Sequence, residues 1–116
     1  MPSYNFNKWI ATSIENGTIR QSIRPCRKIE TKVGDTLQLY RGQRTRNPRL
    51  LMTAVCVGVD LLSIYDKKNI VLGDRVLTDE EILALMKQDG YTNRDSFINF
   101  YDYTYGLPFH GVLIRW

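Results

Sequence analysis

The 116 residues fit one domain, and no second is expected, because domains run from about 50 to 250 residues and cores divide only well above that range. With 43% hydrophobic and 24% charged residues the chain is neither disordered nor fibrous, and no apolar run approaches the roughly 18 to 20 residues that span a bilayer. The net charge of +4 divides unevenly: ten Lys/Arg against three acids (+7) over residues 1–50, six against nine (−3) over residues 51–116. A basic half of this kind draws polyanions, so RNA or another nucleic acid is the first partner to consider and a membrane is not.

The start MPSYNFNKWI lacks a basic stretch followed by an apolar one, which predicts a cytoplasmic chain. Phe6, Trp9, Ile10 and Ile14 recur at helical spacing, with Ser3 or Asn5 as the cap and Gly17 as the left-handed stop, so a first helix is expected here. Ile19 and Ile23 then flank polar residues in a short extended segment that Pro25 ends.

After the turn at Lys32 to Asp35, Leu37 and Leu39 alternate with Thr36, Gln38 and Tyr40, the period of a half-buried strand. Residues 42–48 are polar and arginine-rich. Leu50 to Ile64 reads as one long strand curving around a barrel, with Gly58 marking a bulge. Asn69 to Leu72 reads as a short strand, and Gly73-Asp74 as a turn. Thr78 followed by three acids opens a helix with an apolar face of Ile82, Leu83 and Met86. Asp89-Gly90 stops it, Thr92 or Asn93 caps a last helix carrying Phe97, Ile98 and Tyr101, and Val112 to Trp116 closes the chain as a strand.

Cys26 and Cys56 stand far apart and, with the single His110, in no metal-ligand spacing. Each thiol is expected free and buried, and neither a metal nor another cofactor is expected. His110, before a glycine, is assigned no catalytic role. The aromatic stretch Phe100, Tyr101, Tyr103, Tyr105 and Phe109 reads as core and turn packing, with some members available to a cleft.

Three segments carry a resemblance. The helix ending in Gly17 with Gln21-Ser22-Ile23-Arg24 after it, KVGDTLQLYRGQRT at 32–45, and YGLPFHGVLIRW at 105–116 together resemble the ASCH family of the PUA-like superfamily, its short phage and prophage members above all. The resemblance implies an α+β fold: a small mixed or antiparallel barrel of about five to six strands flanked by about three helices. The family signature is Gly-x-Lys-x-x-Thr-x-Arg, and Gly17, Ser22 and Arg24 fall on its glycine, threonine and arginine, while Ile19 replaces its lysine. Acetylcytidine amidohydrolases of the family use a lysine, threonine and glutamate triad. The resemblance makes Ser22 and Asp89 the analogues of the last two, with Arg20 as the only nearby cation to stand in for the lysine.

Isoleucine neither transfers a proton nor attracts an oxyanion, and arginine stays charged, so this set suits binding better than hydrolysis. Arg20, Ser22 and Arg24 alternate along one face of an extended segment, where two guanidinium forks hold phosphate oxygens and Ser22 bonds a base or sugar. Arg41 and Arg44 add backbone contacts, and Tyr40 either stacks on an unpaired base or packs in the barrel. The expectation is therefore a basic nucleic-acid or modified-nucleoside cleft of Arg20, Ser22, Arg24, Tyr40, Arg41 and Arg44. The rivals are a metal-independent hydrolase (an amidohydrolase using Ser22, Asp89 and Arg20, or a ribonuclease) and a phage-type module that meets an acidic protein.

Overall fold

The computed structural model describes residues 1–116 and starts with a strand where the periodicity predicts a helix. Ser3–Phe6 (β1) pairs in parallel with Thr36–Arg41 (β3), from Ser3 opposite Gln38 to Phe6 opposite Arg41. Tyr4 and Phe6 are buried while Asn5 is exposed, so alternation in four residues outweighs the helical spacing that Phe6 shares with Trp9 and Ile10. The helix itself, Lys8–Glu15 (α1), takes Asn7 as its N-cap and buries Ala11 and Ile14. Gly17 follows with φ +81, the left-handed stop expected of it.

Leu50 to Ile64 is two strands, and the break between them organises the molecule. Arg49–Val55 (β4) pairs with β3, and Gly58–Ile64 (β5) belongs to a different sheet. Cys56, buried at the corner, donates its amide to the Asp35 carbonyl and accepts from the Gly34 amide, so the run turns off the first sheet there. The β3–β4 pairing also slips between Leu39/Met52 and Tyr40/Leu50, which makes Leu51 the extra residue of a bulge.

Two sheets result, three strands in the order β1-β3-β4 and five antiparallel strands built around Phe109–Arg115 (β8). On one side of β8 lies Gln21–Pro25 (β2); on the other lie β5, Ile70–Leu72 (β6) and Arg75–Val76 (β7). The closed barrel of five to six strands is thus not formed: eight strands divide between two sheets that do not close on each other. The mixed α+β class and the three helices are as expected.

Packing follows from β8. Phe109 and Leu113 join a core with Ile23, Leu62, Ile64 and the apolar faces of Asp79–Gln88 (α2) and Arg94–Tyr105 (α3), while Val112, Ile114 and Trp116 join a second core with Tyr4, Phe6, Ile14, Leu37 and Leu39. A strand buried on both faces needs a continuous apolar run, and Val112-Leu113-Ile114 supplies it. Thr78 and Glu81 close a full capping box on α2, and the Asn93 side chain accepts from the Ser96 amide on α3. Cys56 is buried as expected, but Cys26 lies exposed beyond the end of β2. No helix is long and apolar enough to cross a membrane.

Candidate functional site

β2 is the outer strand of its sheet, and a cleft of about 210 Å³ opens along it between α1 on one side and the α2–α3 pair on the other. Ser22 and Arg24 share one face of β2, as their even spacing dictates, and both line this cleft. Ser22 is only 7% exposed. The half-buried Arg24 donates from Nε to Ser22 Oγ at 2.8 Å and from Nη2 to the Asn5 carbonyl at 2.7 Å. Its guanidinium lies 4.8 Å from the centre of the Phe6 ring and 5.2 Å from that of Tyr4, within cation–π range. Two contacts leave three of its five N–H groups free.

Asp89 comes to the same cleft from the C-cap of α2. Tyr101, buried on α3, donates its hydroxyl to Asp89 Oδ2 at 2.7 Å. Burial pushes the Asp89 carboxyl up to about 6, against the opposing pull of the Tyr101 hydrogen bond, the Arg24 charge and the Ile23 amide. The same burial lowers Arg24 from its ordinary value, and the Asp89 charge partly restores it. Tyr101 is raised well above the ordinary tyrosine range by burial and by the Asp89 charge, so it remains a hydrogen-bond donor. None of the four ion pairs in the molecule joins Asp89 to Arg24. An anionic acceptor and a cationic donor therefore face one opening without neutralising each other directly.

Rings complete the wall. Trp9, 57% exposed, meets Tyr91 edge-on at 5.8 Å, Tyr91 meets Phe100 at 6.1 Å, and Tyr101 and Tyr105 lie stacked at 6.1 Å. Gly90 makes this junction possible. Its φ is +89, and a Cβ there would lie 2.6 Å from the Trp9 ring and 2.7 Å from Ile10.

Of the residues predicted from sequence, Ser22, Arg24 and Asp89 come together. Ile19 also lines the cleft but is buried and apolar, so it offers no proton-transferring group. Arg20 does not line the cleft: its side chain donates to the Trp116 carbonyl at 3.1 Å and its amide to the Gln88 side chain. Tyr40 is half-buried on the outer face of β3, opposite in phase to Leu37 and Leu39, and is not in the cleft. Arg44 is exposed and lines neither the cleft nor the opening beside it, whereas Arg41 lines that second opening. Sequence reasoning missed Tyr101 as the partner of Asp89, and Asn5, Trp9 and Tyr91 as wall. The spacing of Phe97, Tyr101 and Tyr105 by four was the available signal, since it stacks them on one face of a helix.

His110 is exposed on β8, where its Nδ1 lies 2.8 Å from Ser63 Oγ, away from the cleft. No group of three or more His, Cys, Asp or Glu side chains is arranged to hold a metal ion. Comparison with family models, with curated proteins and with solved structures finds no match to this chain.

Proposed function

We propose that the chain is an ASCH-type, PUA-like domain that binds single-stranded nucleic acid, RNA first, by taking one base or modified nucleoside into the cleft along β2. The observation that carries this reading is the state of Arg24. It is fixed by Ser22 and Asn5, keeps three N–H groups free, and shares the opening with a carboxyl that has no ion pair and with an aromatic wall. An acceptor on the ligand meets the guanidinium, a donor meets Asp89, and a flat ring meets the wall formed by Trp9 and Tyr91. The volume, equal to about seven waters at roughly 30 Å³ each, suits one such ring and falls below the roughly 300 Å³ where drug-sized pockets begin.

Binding without chemistry follows from Ser22. Its Oγ accepts from Arg24 Nε, and no base is hydrogen-bonded to it, so nothing draws off its proton to make a nucleophile. The second reading, an acetylcytidine amidohydrolase, rests on Asp89: a cleft carboxyl with a pKa of about 6 is suited to general acid–base work. It lacks the cation that Ile19 replaces.

The test is retention of labelled single-stranded RNA and matched DNA by the pure protein in EDTA, with acetylcytidine alongside and products scored. Retention that weakens with salt, without product, is expected, and Arg24→Ala lowers affinity by roughly 1 to 3 kcal/mol. Arg24→Lys, which keeps the charge and loses the fork, separates recognition from folding. Salt-independent retention, free acetate or cleaved RNA overturns the reading.

A further inference from the structure

A second opening, about 650 Å³, adjoins the cleft, and the segment Asn5-Phe6-Asn7 lines both. Of its lining side chains only Phe6 and Pro48 are apolar, and none is acidic. Lys8, Arg41 and Arg49 bring three cations to it. Arg49 is paired with Glu15 at 2.6 Å, while Arg41 and Lys8 have no ion pair and their side chains no hydrogen bond. Arg41 is half-buried and stands opposite Phe6 in the last β1–β3 pair, so the sheet register fixes where it emerges.

The loop around it is built, not loose. Gly42 has φ +65, its carbonyl accepts from both the amide and the hydroxyl of Thr45, and a Cβ at Gly42 would lie 2.9 Å from Thr45 Oγ1. Gln43 ties the loop to β1 through its amide on Asn5 Oδ1 and its side chain on Ser3 Oγ, both at 2.9 Å. Asn5 is therefore shared: its carbonyl holds Arg24 in the cleft and its side chain holds the loop.

We infer that this second opening is the phosphate subsite of the ligand whose base enters the cleft, with Arg41 and Lys8 as its cations, so that a nucleotide straddles the Asn5–Asn7 wall and a free nucleoside fills only half the site. The inference rests on the nucleic-acid reading of the cleft. A half-buried guanidinium without a counter-ion matches a phosphate oxygen pair, and the ammonium of Lys8 adds a mobile point charge. Arg44 and Arg46, on the same loop but outside the opening, add only long-range attraction.

The test compares a mixed-sequence RNA hexamer with the same hexamer carrying neutral methylphosphonate linkages, against wild type, Arg41→Ala, Lys8→Ala and Arg44→Ala, by fluorescence anisotropy. Arg41→Ala is expected to weaken the charged hexamer about tenfold and flatten its salt slope by about 1, with no effect on the neutral hexamer and a smaller effect from Arg44→Ala. A 5′-phosphate on the neutral hexamer that restores wild-type affinity assigns the subsite to a terminal phosphate; failure to restore it assigns an internal phosphodiester. Equal losses for Arg41→Ala and Arg44→Ala mean diffuse attraction and overturn the subsite. If Arg24→Ala weakens the charged hexamer while Arg41→Ala leaves it at wild-type affinity, the subsite fails and the cleft stands; if wild type binds neither hexamer, both fail.

Discussion

The cleft and the loop opening share three lining residues, Asn5, Phe6 and Asn7, yet their charges live under different physics. In the cleft, Arg24 and Asp89 are partly withdrawn from water, so their titration shifts and each depends on a few named contacts. At the loop, Arg41 and Lys8 have no ion pair and no side-chain hydrogen bond, so no named contact ties their charges to the fold. Substitutions in the cleft should therefore act on stability as well as on binding, whereas substitutions at the loop should act on binding alone.

The largest effect is expected where backbone and cleft meet. Gly90→Ala places a methyl group 2.6 Å from the Trp9 ring on a residue whose φ of +89 disfavours any side chain. Overpacking of about 1 to 3 kcal/mol, with about 1 more for the left-handed backbone, predicts a loss near 3 kcal/mol in urea unfolding. A loss below about 1 kcal/mol would mean that α1 and the α2–α3 pair move apart easily, and the contrast with the loop would weaken.

Asp89 gives the next test, and its sign is opposite to that of most carboxyls. Its native pKa of about 6 lies above the roughly 3.9 of an unfolded aspartate, so between these values the folded state holds more protons than the unfolded one. Its contribution is fully present below about pH 4 and is lost as pH rises to about 6. Asp89→Asn cannot ionise, so it should match wild type near pH 4 and exceed it by up to about 3 kcal/mol at pH 7. Comparing the two proteins isolates Asp89, because Glu81 and Asp66, whose pKa values are lowered by hydrogen bonds from Arg75 and Asn69, act with the opposite sign in both. A variant less stable than wild type at pH 7 would show that the carboxylate is structural and not held at a cost.

Local chemistry is what the sequence made legible. The capping residues Thr78 and Asn93, the stop at Gly17, the strand Thr36 to Tyr40 and the shared face of Ser22 and Arg24 all follow from contacts within a few residues. Illegible were choices set by distant partners. Ser3–Phe6 is a strand because β3 offers it a parallel edge, and the Leu50–Ile64 run splits because Cys56 bonds back to Gly34 and Asp35. Arg20 and Arg24 look equivalent by spacing, and only the Trp116 carbonyl, 96 residues away, diverts one of them from the cleft. A barrel expected from family likeness differs from two open sheets by strand closure, which no single segment encodes.

The smallest effect sharpens the loop side of the comparison. Arg49 and Glu15 pair at 2.6 Å with side-chain exposures of 56% and 33%, and exposed pairs contribute about 0 to 1 kcal/mol. Glu15→Gln should therefore leave urea unfolding within about 0.5 kcal/mol of wild type. It also removes the acid beside the opening and frees Arg49, so the charged RNA hexamer should bind about two- to threefold more tightly at low salt, with the gain vanishing near molar salt where the screening length falls to about 3 Å. Tighter binding without a stability change is what an exposed ion pair at the edge of the opening produces; a stability loss above about 1 kcal/mol would place Arg49 in the framework of the loop instead, and the two openings beside Asn5–Asn7 would then share one physics.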